Sequence, residues 1–327
     1  MTISAFFLPS SASNGTSPSP GSGGDGSGQY ALDYYNVAIA ASMLASDAVV
    51  SLMLGLQLER TIVVSAIRCI IQLTIMGYIL TPVFEHAESF ELVFLISMIL
   101  MTLAVVEIVY NKAKFTFTGE VVIVFVSLFV SVGLVSALGV GFAMNARPFY
   151  EARRFIPAYG MLLGNSMTGV AVSITTCLTQ FMDRRDRIEY MLALGASRWE
   201  VARPVIAEAV RVGLLPGLMS MSIIGLISIP GMMSGQILAG APVLEAVNYQ
   251  IIIIYLISSS VALASVLATV ACVATCIDGT HRLRIDRIQK RGKGNPLIAI
   301  GGDFWGMLKD SFIWSWRKLR GGEVRLS

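Results

Sequence analysis

Seven stretches of this chain are long and apolar enough to cross a bilayer, and a polypeptide built that way has few folding options. A hydrocarbon core of about 30 Å takes roughly 20 residues of helix. The stretches run over about 35–56, 61–82, 91–110, 120–143, 155–181, 211–231 and 248–277. In lipid an isolated strand leaves its backbone unsatisfied, and no two-residue alternation marks a barrel, so each stretch is expected to be a helix. Charged residues make up 14% of the chain, against about a quarter in soluble domains, which agrees with that reading.

Three regions follow from this pattern. Residues 1–34 are rich in Ser, Gly and Pro, cannot bury a core, and read as a disordered tail. "SAFFLP" is too short for a secretory core, and Asn14-Gly15-Thr16 is a glycosylation sequon only where the tail faces a lumen or the outside. Residues 35–278 hold the seven spans, and 279–327 form a basic tail. In that tail Trp305, Leu308, Phe312, Trp316 and Leu319 share one helical face, suited either to the inner leaflet or to a partner surface.

Lys and Arg in the loops give the orientation. Loops 82–91 and 231–247 carry none, whereas 111–119 has Lys112 and Lys114, 182–210 has five arginines, and the tail is basic. These sort with the N-terminus outside or lumenal and the C-terminus cytoplasmic, although Arg147, Arg153 and Arg154 then lie on the outer side.

Several function classes are disfavoured. There are two histidines, His86 and His281, far apart, and four cysteines, Cys69, Cys177, Cys272 and Cys276, all in apolar segments without metal-binding spacing. The cysteines read as buried free thiols. No nucleophile–base pair is visible, so an enzyme is not expected, and there is no phosphate-binding GxxxxGK[ST] loop for ATP. No resident cofactor and no nucleic-acid partner are expected.

Polar groups within spans are costly and therefore informative. Arg68 and Gln72 share one face of the second span, and Glu107 lies near the end of the third. Arg68 and Glu107 can pair across helices or snorkel separately. Two further stretches match each other: GMLLGNSMTG at 160–169 and GMMSGQILAG at 231–240, preceded by Pro157 and Pro230. Both place Gly, Met, Gly and an amide at the same offsets, with Gly160, Gly164 and Asn165 in one, Gly231, Gly235, Gln236 and Gly240 in the other. Glycines four apart let helices approach closely, and Asn165 and Gln236 could then bond across the contact. The pair reads either as a plain helix crossing or as an outer gate or cavity lining. Met161, Met167, Met232 and Met233 could offer thioethers to Cu(I) but are read as packing, and Glu245 is the only acid near these outer ends.

Residues 182–210 are too polar to span and too amphipathic for a plain linker. Ile188, Met191, Leu192 and Leu194 to Ala196 make an apolar face, Gly195 breaks the helix, and Arg198-Trp199-Glu200 starts another. A helix–Gly–helix unit of this kind suits docking into a groove on a soluble partner, or lying on the membrane surface.

Glu189 and Gly195, six apart, resemble the E-x5-G core of the coupling loop in permease subunits of ATP-binding-cassette transporters, with Tyr190 and Met191 standing where alanines are expected. More broadly, "IRCIIQL", "GMLLGNSMTG", "LALGAS", "LLPGLMSMSIIGLISIPGMMSGQILAG" and "AVNYQI" resemble, over about residues 35–280, the membrane-subunit family of the bacterial Fet iron-export permease and the plant aluminium-sensitivity permeases. That resemblance implies an all-α homodimeric permease that uses ATP through a separate ATPase subunit. It implies a coupling element at 183–200, with Arg187, Glu189, Gly195, Arg198 and Trp199, and a route lined or gated by the two Gly-Met motifs. The implied cargo is an iron-like metal ion or related solute, with a nucleotide sugar such as UDP-glucose as the alternative. A passive channel and a non-transporting membrane anchor for an ATPase remain the rival readings.

Overall fold

The computed structural model describes residues 34–55, 58–85, 90–109, 115–117, 119–144, 151–277, 284 and 288–290. Of the proposed tail at 1–34 all but Tyr34, which opens a helix, lies outside them, as do the sequon, His86, His281, Lys112, Lys114, Arg147 and the Trp-rich helix at 305–319. Seven helices among the described residues have the length and composition to cross a membrane. They are α1 (Tyr34–Met53), α2 (Glu59–Glu85), α3 (Phe90–Glu107), α4 (Glu120–Leu138, continued by a π-helical turn over Gly139–Ala143), α5 (Ala152–Asp183), α7 (Arg198–Ile223) and α9 (Val243–Cys276). Two shorter helices intervene, α6 (Arg185–Ala193) and α8 (Gly231–Leu238). The chain divides into two units, Met1–Gly77 and Tyr78–Ser327.

In the first unit, α1 and the beginning of α2 are joined through Ser51, whose hydroxyl accepts from the Leu58 amide at 3.1 Å and donates to Glu59 at 3.4 Å. Cys69, expected to be buried, is exposed, because α2 buries none of its most apolar stretch within this chain. Arg68 and Gln72 are exposed on the same helix.

The second unit is organised around α5, which packs against α9, α7, α4 and α3 and buries more than half of its most apolar stretch. Small residues make this possible. On α9, Ala264, Ala268 and Cys272 recur every fourth position and are fully buried, and Ser260 one turn earlier bonds Ser166 of α5 at 2.8 Å. Hydroxyls and thiols of this size let helices approach where no hydrophobic drive separates protein from lipid. Cys177, Cys272 and Cys276 are buried free thiols, as expected. Gly139 opens the π-helical turn against Leu256, whose Cδ2 would lie 2.7 Å from any added Cβ.

α5 and α7 are the least apolar of the seven spans, α4 and α9 the most. α7 also departs furthest from the expected boundaries, running over Arg198–Ile223 rather than 211–231. Its polar first half, with Arg203, Glu208 and Arg211, had the composition of a loop. The helix expected from Arg198 does start there, capped by Ser197, and runs on into the span: the Ser197 hydroxyl accepts from the Glu200 amide at 3.3 Å, and the Glu200 carboxylate accepts from the Ser197 amide at 2.8 Å. This reciprocal box satisfies amides that a helix start otherwise leaves bare. Pro204 and Pro216 sit inside α7 without ending it, as membrane helices permit. Ile224 and Gly225, the latter at φ +86°, turn the chain away.

One small element was not foreseen. Phe115–Phe117 pairs antiparallel with Ile288–Lys290, Thr116 facing Gln289. Phe117 and Ile288 are buried in the same cluster as Phe181, Ile188 and Leu192. The α3–α4 connection, α6 and the segment after α9 therefore meet at one end of the unit.

Candidate functional site

Two places carry the polar and positional features singled out in the sequence. The first is the elbow between α5 and α7. Helix α6 ends in a Schellman motif: the Gly195 amide donates to Leu192 O at 3.1 Å and the Ala196 amide to Met191 O at 3.1 Å. The motif needs a left-handed residue, and Gly195 has φ +92°. Ser197 then caps α7, so only Leu194 to Ser197 separate two tightly terminated helices.

The apolar face expected to dock outward divides in two. Ile188 and Leu192 are buried in the unit's own core, with Met191 and Ala196 packed beside them. Tyr190, Leu194 and Trp199 point away from it, at 65%, 70% and 44% exposure. The Arg198 guanidinium lies 5.2 Å from the Trp199 ring centroid, which holds the indole in place. Glu189 is bonded along the helix by Arg185 Nε at 2.9 Å, an exposed pair that adds little stability, and Arg187 is exposed beside it. Ser197→Ala should cost the elbow about 1 kcal/mol, read as roughly fivefold faster amide exchange in the first turn of α7; unchanged exchange would show that the box does not hold the elbow.

The second place is a cavity of about 220 Å³ between α5, α7 and α9. Asn165 and Thr168 line it from α5, Ser220 from α7, Gln250 and Ser258 from α9. Its walls meet at Gly169 and Gly213: a Cβ on Gly213 would lie 2.9 Å from Gly169 O and collide with Ser173 Oγ, and one on Gly169 would lie 2.5 Å from Val261 Cγ1. These are the glycines of close approach. Gly160, Gly164, Gly231, Gly235 and Gly240 have nothing within 4 Å of an added Cβ. The motif at 231–240 is not the outer end of a span; it forms α8, capped by Pro230 and packed on α9. Among the described residues no hydrogen bond joins Asn165 to Gln236; the Asn165 amide donates to Met161 O at 2.8 Å, one turn back. The matching spacing came from two helices of different length and surroundings, not from a crossing between them.

Of the intramembrane polar residues, Glu107 closes α3 and is half-buried. Met161 and Met167 pack against buried clusters, in line with the packing reading. Among the described residues no group of His, Cys, Asp or Glu side chains could hold a metal ion. Gln250 is the residue that the residue-by-residue reading missed. An amide inside the 34-residue apolar helix α9 was a visible signal, of the same kind that drew attention to Gln72.

Seven bilayer-length helices define a multi-pass α-helical membrane protein, and the cavity between α5, α7 and α9 is a partly open one with a mainly apolar lining. The chain belongs to the family described as "Uncharacterised protein family (UPF0014)", whose model matches residues 34–277. It is 30% identical over 239 residues to the UPF0014 membrane protein YjkA of Bacillus subtilis, covering 73% of this chain and 93% of the relative. It is 26% identical over 261 residues to the probable iron export permease protein FetB of Escherichia coli, covering 78% and 96%. With the protein ALUMINUM SENSITIVE 3 of Arabidopsis thaliana it shares 28% identity over 218 residues, covering 67% and 78%. No solved structure matches the chain.

Proposed function

We propose that this chain is the membrane-spanning subunit of an ATP-driven exporter whose ATPase is a separate chain, working as a homodimer. The observation that carries the reading is the elbow. Its inner face is anchored in the core while Tyr190 on α6, Leu194 at its C-cap and Trp199 in the first turn of α7 are left exposed across the junction. Aromatic and aliphatic anchors on a rigid helix are what a groove on a soluble partner takes up. On this reading the elbow end is cytoplasmic and α8 lies outside or in a lumen. The Lys/Arg pattern of the loops supports that orientation. The name of the FetB relative supports a metal ion or related solute as cargo.

The direct test is reconstitution with a candidate ATP-binding-cassette ATPase in vesicles. Association together with ATP-dependent flux supports the exporter. Flux without the ATPase favours a passive channel, and association without flux favours an anchor.

A gate at the outer ends of α5 and α8 belongs to the same proposal. A Cβ added at Gly164 or Gly235 meets no atom within 4 Å, so a side chain can start there without a clash. Gly164→Leu or Gly235→Leu is expected to abolish flux while ATPase association persists. Wild-type flux in both variants would remove the gate from these positions.

A further inference from the structure

The cavity between α5, α7 and α9 contains one conspicuous unsatisfied group. Gln250 is 5% exposed, lines the cavity, and its Oε1 accepts no hydrogen bond from any described protein group. A buried amide acceptor without a partner costs on the order of 1–3 kcal/mol. The helix could have carried leucine there at no such cost. The rest of the lining is Asn165, Thr168, Ser220 and Ser258 among glycines, one proline, the Met221 thioether and aliphatic side chains, with no ionisable residue at all. At about 220 Å³ the cavity lies below the roughly 300–1,000 Å³ usual for drug-sized ligands.

These features select a ligand class. A bare ion in this wall would meet no counter-charge, and an uncompensated charge at membrane depth is costly. A neutral solute with hydroxyl or amide hydrogens would supply the donor that Gln250 Oε1 lacks and could bond the Asn165, Ser220 and Ser258 oxygens as well. We propose that this cavity is a binding chamber for a small electroneutral solute that donates hydrogen bonds, with Gln250 as its principal acceptor. The proposal deepens the transport reading by naming the form in which cargo enters; a metal cargo would enter as an electroneutral complex with donors on its outside. Below the chamber, towards the elbow end, the Ser173 and Ser265 hydroxyls are also buried without partners. Gly169 and Gly213 stand between, so separating α5 from α7 at that contact would extend the polar lining.

The test needs neither a known cargo nor the ATPase, so its failure is separable from failure of the exporter reading. Ser258→Cys is made in a Cys69→Ser background, because Cys69 is exposed and the other three thiols are buried. Ser220→Cys provides a second reporter should the first not fold. In proteoliposomes each is treated with hydroxyethyl, trimethylammonioethyl, sulfonatoethyl and benzyl methanethiosulfonates, and every rate is divided by that reagent's rate on free cysteine. The hydroxyethyl reagent is expected to react about tenfold faster than either charged one and faster than the benzyl one. Gln250→Leu should erase its advantage over benzyl, and Gln250→Glu should bring the cationic reagent to the front. A charged reagent that reacts as fast as the hydroxyethyl one would overturn electroneutrality. A benzyl preference would mean a lipid-filled cleft, and no reaction at either reporter a closed wall; both would overturn the chamber. Indifference to both Gln250 substitutions would remove Gln250 from it.

Discussion

Trp199→Asp is expected to release the ATPase subunit from a permease that stays folded. Trp199 is 44% exposed and lies outside the buried clusters, so the substitution opens no cavity in the core. At an interface the same indole would be a central anchor, and loss of such an anchor costs about 2–4 kcal/mol, roughly 30- to 1,000-fold in affinity. Co-purification should fail while the permease keeps its thermal transition in detergent. Leu194→Asp should act alike, since it too points outward. Gly195→Pro should give the same loss by another route. Proline cannot adopt φ +92° and lacks the amide that donates to Leu192, so the elbow itself would be reshaped. Retention of the ATPase by Trp199→Asp and Leu194→Asp together would move the docking surface elsewhere.

The second large effect concerns packing within the membrane. Gly213→Ala places a methyl group against Ser173 Oγ, which can rotate away, and 2.9 Å from the Gly169 carbonyl, which cannot retreat without parting α5 from α7. Overpacking of this kind costs about 1–3 kcal/mol, and Gly213→Leu should exceed it. The expected readings are a lowered midpoint for Gly213→Ala and little folded protein for Gly213→Leu. Ser173→Ala should partly rescue Gly213→Ala. It removes a hydroxyl that has no partner to lose and leaves the backbone clash in place. Gly213→Ala at wild-type stability would show that this contact is looser than the packing implies.

These residues illustrate what the sequence could and could not disclose. The seven spans were legible because bilayer thickness imposes a length that composition alone reveals. The helix start at Arg198 was legible too, but its unbroken run into the sixth span was harder. Arg203, Glu208 and Arg211 look like loop residues when counted, but the cap written in Ser197 and Glu200 carries the helix straight through them. The elbow was legible as an amphipathic unit with a break at Gly195, yet which face turns inward depended on where the core stood. Ile188 and Leu192 went in, and Trp199 stayed out. The chain has 30 glycines, and spacing alone cannot say which of them face a neighbour. The repeated Gly-Met pattern pointed to Gly164 and Gly235, whereas the close approach fell to Gly169, the last glycine of the first motif, and to Gly213, which lies outside both motifs.

The uneven hydropathy of the spans also bears on how the protein comes to be made. α4 and α9 are apolar enough to leave the insertion machinery for lipid unaided, while α5 and α7, with their prolines, arginines and amides, are poor candidates to do so alone. α5 makes its largest contact with α9, which is synthesised after the other six described spans. The helices that form the cavity are thus held in the bilayer by a segment the ribosome has yet to release when they emerge. Biogenesis would wait on α9, and a chain truncated before it would be a substrate for quality control rather than a smaller permease.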